Sequence, residues 1–387
     1  MDFELSEELR LFRRQVRKWV DKETPKDYAR ELERKEHEYP FELWDKFTKA
    51  GYHGLSVPEE YGGEGGDVMT QMVLARELCR SLGGLSWVWG ITSFAGSKSV
   101  GLYGSGEQKE RILPRIAEGK LRFSIGFTEP DGGTDVLGAM KTRADKVDGG
   151  WRINGTKIWC SSAHVADYIL LLARTDDSVV KRHQGVTLFL LDTKAAGVNI
   201  TELGKLGMRA IGSCQVNLRD VFVPDADVLG EPGQAWYMLL PTLNNERMMV
   251  GAFCCGILDG VLEDALDYVK QRSAFGKKIG EFQTIQNYVA EIAMMRDQAE
   301  LMVYRAANLL NQDKPCHLEA SMAKVVASEY AVKAADLGIS ILGGMGYSAD
   351  TDMQRYWRDA RLWKIGPITN EMARNAIAEN LGLPRSF

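Results

Sequence analysis

The spacing of apolar residues along this chain changes period twice, and that change limits the fold to an α, then β, then α order. From residue 1 to about 120 the spacing is helical, with stripes such as Leu11, Val16, Trp19 and Val20, and later Met72, Leu74, Ala75 and Leu78. Residues 56–66, SVPEEYGGEGG, interrupt this pattern and read as a loop. Between about 121 and 231 the segments become short and rich in β-formers, as at residues 151–153, 168–172 and 186–191. DGG at residues 148–150 and NG at Asn154 and Gly155 carry the chemistry of hairpin turns. Beyond Pro232 the helical period returns over residues 233–270, 285–310 and 318–341, lengths that suit a bundle. The expected class is α+β, with a helical domain over 1–120, a β domain over 121–231 and a helical bundle over 232–387.

The 387 residues exceed one ordinary core, and the apolar supply, 45% of residues, is ample for a buried interior. A net charge of -5 offers no basic field for a nucleic-acid backbone, so a polyanionic ligand must meet local cations. The opening stretch, MDFELSEELRLFRRQVRKWV, mixes charges with apolar residues at helical spacing, unlike a secretory signal. With no apolar run of about 18 residues, no membrane span is expected and the protein is expected in the cytoplasm. Six cysteines, Cys79, Cys160, Cys214, Cys254, Cys255 and Cys316, are scattered without C-x-x-C spacing, so small buried thiols are expected rather than a metal site or disulfides.

Four segments carry chemistry. Residues 126–138, GFTEPDGGTDVLG, combine glycines, hydroxyls and acids in a loop that can present backbone N–H groups to an anion or polar heterocycle; alone it is also an ordinary glycine-rich turn. Residues 157–162, KIWCSS, set an indole beside hydroxyls at the end of a strand, suited to one face and one edge of a flat ring, although a strand Trp is more often core. Residues 271–283, QRSAFGKKIGEFQ, cluster Arg272, Lys277 and Lys278 around a Phe-Gly break, a phosphate-binding arrangement or a solvated basic turn. Residues 340–359, SILGGMGYSADTDMQRYWRD, place two glycines after a long helix and Arg355, Arg358 and Asp359 on a shared helix face; a helix cap with surface ion pairs is the alternative.

In order and separation the four segments together resemble the acyl-CoA dehydrogenase family along essentially the whole chain. The carriers are the hydroxyl-Glu-x-x-Gly-Gly-hydroxyl-Asp loop at 128–135, the Trp-containing strand, the Arg-x-x-Phe-Gly turn at 272–276, and Gly343, Gly344, Gly346, Asp350, Arg355 and Asp359. Phe127 departs from a usual aliphatic residue and Ser340 from a usual Gln or acid, and neither change removes a glycine or a charge. The resemblance implies a β-barrel-like middle domain and a four-helix C-terminal bundle with FAD extended between them. By matched positions it implies FAD contacts from Phe127, Thr128, Gly133, Thr134, Trp159, Cys160 and Ser161, from Ser340, Gly343, Gly344, Thr369 and Glu371, and across a subunit boundary from Arg272, Phe275 and Gln283. It also implies a homotetramer, an acyl-CoA substrate touched by Thr134, Asn244, Arg247 and Gly366, and an electron-transferring flavoprotein as partner.

The chemistry of such enzymes needs a carboxylate that takes the α-proton of the thioester. The family's commonest position for it, the Glu of a Tyr-Glu-Gly-Thr segment, matches residues 365–372, IGPITNEM, where Pro367 stands instead. Proline takes no proton. Isovaleryl-type and long-chain-type members place the base before an Arg on the first bundle helix, and there this chain has Asn244, Asn245, Glu246 and Arg247. Glu246 is therefore the expected base; read without the resemblance, it would be a solvated helix acid paired to a neighbour. The expected activity is α,β-oxidation of a short, branched or cyclic acyl-CoA. Alternatives are the reverse enoyl-CoA reduction, altered chemistry such as a desulfinase or monooxygenase, and a non-catalytic flavin or acyl-CoA binder.

Overall fold

The computed structural model describes residues 4–35, 37–179 and 181–384, with only the backbone path for residues 240–243. The N-terminal helices are α1 (Glu7–Glu23), α2 (Lys26–Arg34), α3 (Phe41–Lys49), α4 (Val68–Leu82), α5 (Trp87–Gly90), α6 (Ser97–Tyr103) and α7 (Gly106–Ala117). Their starts follow from the sequence: the Ser6 hydroxyl accepts from Leu9 N, the Asp67 carboxylate from Thr70 N, and Ser105 and Gln108 form a reciprocal capping box. Helix α4 is buried on every side, including Arg76, Glu77 and Arg80. Those charges are paired: Arg76 donates to Asp259 at 2.7 and 3.0 Å, and Glu77 accepts from Arg13 at 2.7 Å and Arg17 at 2.8 Å. They pin α1 and α4 to the bundle.

Residues 91–96 connect α5 and α6 as a π-helical turn, a wide turn that sequence periodicity does not reveal. The middle unit is one sheet of β1 (Phe123–Gly126), β2 (Arg143–Val147), β3 (Gly150–Ser161), β4 (Tyr168–Arg174), β5 (Val186–Asp192), β6 (Val198–Leu203), β7 (Ser213–Pro224) and β8 (Val228–Leu229). Its path is β6-β7-β3-β2-β4-β5-β8, with β1 parallel to β4. The Asp148-Gly149 turn joins β2 to β3 as expected, with Val147 opposite Gly150. The Asn154-Gly155 pair is not a turn. It lies inside β3 at a bulge against β7, where Gly155 has φ +152 and a Cβ would strike Thr142 Oγ1 at 2.3 Å.

The C-terminal unit contains α8 (Ala235–Gln271), α9 (Gln283–Asn311), α10 (His317–Leu342), α11 (Gly344–Tyr347), α12 (Met353–Trp363) and α13 (Asn370–Asn380). Between α8 and α9, β9 (Ser273–Ala274) and β10 (Lys277–Lys278) form a small hairpin. The long helices α8, α9 and α10 are the bundle whose lengths the sequence announced. One junction ties all three units together. Arg355 donates to Ser81 O and Leu82 O at 2.7 and 2.8 Å, and Asp359 accepts from Gly84 N at 2.9 Å and Met208 N at 2.8 Å. Both side chains are buried, so the surface ion pairs considered as an alternative are not what forms. The six cysteines are free and buried, as their spacing suggested. No helix among the described residues is long and apolar enough to cross a membrane.

Candidate active site

The glycine-rich loop after β1 is held to β3 by a buried ion pair. Lys157 Nζ donates to Glu129 Oε1 at 2.9 Å and to Phe127 O at 3.1 Å, while Ile158 N donates to Thr128 O at 2.9 Å. Glu129 also accepts from the backbone N–H groups of Lys141 and Thr142. Burial alone would raise the carboxyl's pKa, but the Lys157 charge and these donors outweigh it and hold Glu129 ionised. The loop's acid Glu129 is thus its anchor, which leaves Gly133 and Thr134 facing outward. Gly133 has φ +50, a Cβ there would meet nothing, and Gly133 and Thr134 are exposed.

Trp159 follows directly. Between Lys157 and Cys160 the β3–β7 register slips, and Trp159 stands in that bulge with φ +61 and 57% exposure. A bulge re-aims a side chain, and a bulky residue held at positive φ is strained by about 1–3 kcal/mol. The result is an indole presented away from the sheet, next to the loop carrying Thr128 and Gly133, with the partly exposed Ser161 beyond it. This surface fits a flat, polar-edged ring. Cys160 does not join it: its side chain is fully buried opposite Cys214 in the sheet core, where burial pushes the thiol up to about 12. Strand alternation puts the thiol on the wrong face, so at most its main chain adjoins a cofactor.

Beneath the loop the three units enclose a narrow cavity, with about 30 Å³ of water-accessible space. The π-turn and α6 contribute Phe94 and Lys98, β1 and its loop contribute Ile125 and Phe127, and α8 contributes Asn245 and Glu246. Phe127 and Glu246, far apart in sequence, therefore share one wall. Glu246 makes no hydrogen bond or ion pair among the described residues, so the solvated, paired helix acid is not what the fold builds. Desolvation pushes its carboxyl up to about 7, against the opposing pull of Arg247. Its partial exposure is consistent with a side chain that faces a cavity. Arg247 is itself engaged, donating to Asn244 Oδ1 at 3.0 Å.

The segment with Pro367 adjoins this region through Lys324. This buried lysine donates to Ile368 O at 2.6 Å and Asn370 Oδ1 at 2.7 Å, and its pKa is lowered to about 8 by burial, with Arg247 and Glu371 among the charges acting on it. Thr369 caps α13 by accepting from Met372 N, Glu371 is exposed in the first turn, and a Cβ at Gly366 would meet nothing. The remaining expected contacts lie elsewhere. Arg272 is 26 residues beyond Glu246, about 39 Å along α8. Phe275, at φ +51, and Gly276, at φ +81, form the two-residue tip of the small hairpin, with Phe275 95% exposed. Short connections turn α9 back along α8 and α10 back along α9, and Gly251 lies beside Ala323, so Ser340, Gly343 and Gly344 fall toward that same distant end. The Ser340 hydroxyl donates to Asp336 O within its helix. A single chain thus splits the expected contacts into two groups. Sequence reading gave no role to Lys98, Asn245, Lys157 and Lys324; Lys157 and Asn245 lay inside segments already singled out, and Lys98 left a mark as the one charged residue between Arg80 and Glu107.

Comparison with known proteins agrees with this architecture. Residues 6–120, 124–221 and 233–382 match the N-terminal, middle and C-terminal domains of acyl-CoA dehydrogenase. The chain is 33% identical to a probable acyl-CoA dehydrogenase of Bacillus subtilis over 98% of this chain and 100% of the relative. It is 34% identical to the mitochondrial isovaleryl-CoA dehydrogenase of Oryza sativa subsp. japonica over 88% of this chain and 82% of the relative. The butyryl-CoA dehydrogenase of Megasphaera elsdenii superposes with a TM-score of 0.92 at 31% identity, covering 98% of this chain and 100% of that structure.

Proposed function

We propose, from the premise that this chain belongs to the acyl-CoA dehydrogenase family, that Glu246 removes the α-proton of an acyl-CoA thioester held in the cavity beneath Phe127. FAD is the cofactor of this family and, when bound, supplies the acceptor for the hydride that leaves Cβ. The observation that carries the reading is a desolvated carboxyl on α8, unpaired among the described residues, that lines the same cavity as the residue that opens the glycine-rich loop. A base poised near neutrality is ionised often enough to act and basic enough to pull on a weakly acidic C–H. Arg247 favours the ionised form from one side, and Pro367 offers no competing carboxylate.

Phe127, Thr128, Gly133, Thr134, Trp159 and Ser161 would hold the flavin end of FAD. Thr134, Asn244, Arg247 and Gly366 would line the thioester's path, and Thr369 and Glu371 would contact a further part of the cofactor. Arg272, Phe275, Gln283, Ser340, Gly343 and Gly344 would serve the cofactor of a neighbouring subunit in a homotetramer, a reading supported by their distance from Glu246 and by the bare ring of Phe275. A short, branched or cyclic acyl group and an electron-transferring flavoprotein as acceptor complete the proposal. The isovaleryl-CoA relative supports the acyl class.

Anaerobic mixing of the yellow protein with a panel of acyl-CoA thioesters tests this. A short acyl-CoA should bleach the flavin, and Glu246→Gln should stay yellow without bleaching. Bleaching of that variant at the wild-type rate would assign the proton to another group, and no bleaching by any thioester would remove the dehydrogenase reading.

A further inference from the structure

The cavity that contains Glu246 also contains a lysine with no established task. Lys98 lies on α6, directly after the π-helical turn, and its side chain lines the same wall set as Phe94, Leu170 and Asn245. Among the described residues it makes no hydrogen bond and no ion pair. Burial lowers its pKa. No hydrogen bond or ion pair among the described residues joins Lys98 to Glu246, whose carboxyl is drawn down by Arg247 instead. The two charged groups thus line one cavity without pairing, with the apolar side chains of Phe94, Ile125 and Leu170 among its walls.

A second unspent polar group points the same way. Asn245, adjacent to the base and only 4% exposed, lines the cavity, and its Oδ1 has no hydrogen-bond partner among the described residues. Turned about its last bond, that amide offers N–H donors to the cavity. A purely aliphatic acyl chain would bury both groups further and satisfy neither, and an unpaired ammonium removed from water is costly. A carboxylate at the end of the acyl chain remote from the thioester would neutralise Lys98.

We propose that Lys98 reads a terminal carboxylate on the acyl group, so that the substrate class is the CoA thioesters of short dicarboxylic acids. This rests on the reading of the cavity as the acyl site; it keeps the short chain of that reading and replaces the branched or cyclic aliphatic end with a carboxylate.

The test is binding, separated from chemistry. Glu246→Gln holoenzyme, with Lys98 intact, is titrated calorimetrically with glutaryl-CoA, pentanoyl-CoA and the ω-amino analogue of pentanoyl-CoA. Glutaryl-CoA should bind about tenfold to a hundredfold more tightly than pentanoyl-CoA, the scale of a hydrogen bond to a charged group, and the amino analogue should bind most weakly. Adding Lys98→Met should collapse the first ratio toward one, and Lys98→Arg should restore most of it. Equal or tighter binding of pentanoyl-CoA with Lys98 intact overturns the proposal without any folding question. A preference that survives Lys98→Met also overturns it. If instead Glu246→Gln still consumes thioester while the binding order holds, the assignment of the base fails and that of Lys98 stands.

Discussion

Glu246 and Lys157 show how differently two charged side chains can be used. Lys157 is matched by Glu129 at 2.9 Å, and the pair fixes a loop. Glu246 has no ion pair or hydrogen bond among the described residues, and burial raises its pKa to about 7. If it is the base, kcat/KM should climb as pH rises through about 7, because the carboxyl must lose its proton to act; a flat profile across that range would oppose the assignment. Stability should move the opposite way. The folded state holds a proton that the unfolded chain releases near 4.5, so this contribution is complete below pH 4.5 and is lost as pH rises through about 7. Relative to wild type, Glu246→Gln should therefore gain on the order of 2 kcal/mol in urea titrations at pH 8 compared with pH 4.5. At this scale the sequence supplied the identity of Glu246 only through a motif. Its desolvation depends on Phe94, Phe127 and Leu170, which no local pattern places around it.

The elements themselves were easier to read than their contacts. The stripe in α4 and the long apolar stretches of α8, α9 and α10 made the helices legible, and Asp148-Gly149 made one hairpin legible. The Asn154-Gly155 signal misled because the same φ freedom that serves a turn also serves a bulge, and strand pairing with β7 decides between them. Asp359 on α12 could not be read as a clamp, since its partners, Gly84 N and Met208 N, come from two other units. Asp359→Ala strands both N–H groups and leaves Arg355 less well compensated, so it should cost about 3 kcal/mol, seen as a lower urea midpoint. Lys157→Met should leave Glu129 charged and unpaired and loosen the loop. The expected sign is protein that loses its flavin on gel filtration, and full retention would show that the loop does not depend on the pair.

Across the whole molecule, the α, β, α order follows from the two changes of period, but the sequence does not say that the expected cofactor contacts divide between two ends of the bundle. The length of α8 imposes that division, because about 39 Å of helix separates Glu246 from Arg272. The exposed Phe275 ring marks the far end. Phe275→Asp should therefore leave the isolated chain folded, by circular dichroism, while lowering the assembled mass in light scattering and weakening flavin retention. An unchanged assembly would separate that hairpin from the subunit contact. The central claim, that one carboxyl takes the substrate's α-proton, is open to a direct measurement: NMR of α-hydrogen exchange into deuterated water for a 3-thia acyl-CoA, a thioester that is not oxidised to the enoyl product. Wild-type protein should wash out the α-hydrogen and Glu246→Gln should slow that exchange by several orders of magnitude; equal exchange by the two proteins would contradict the account.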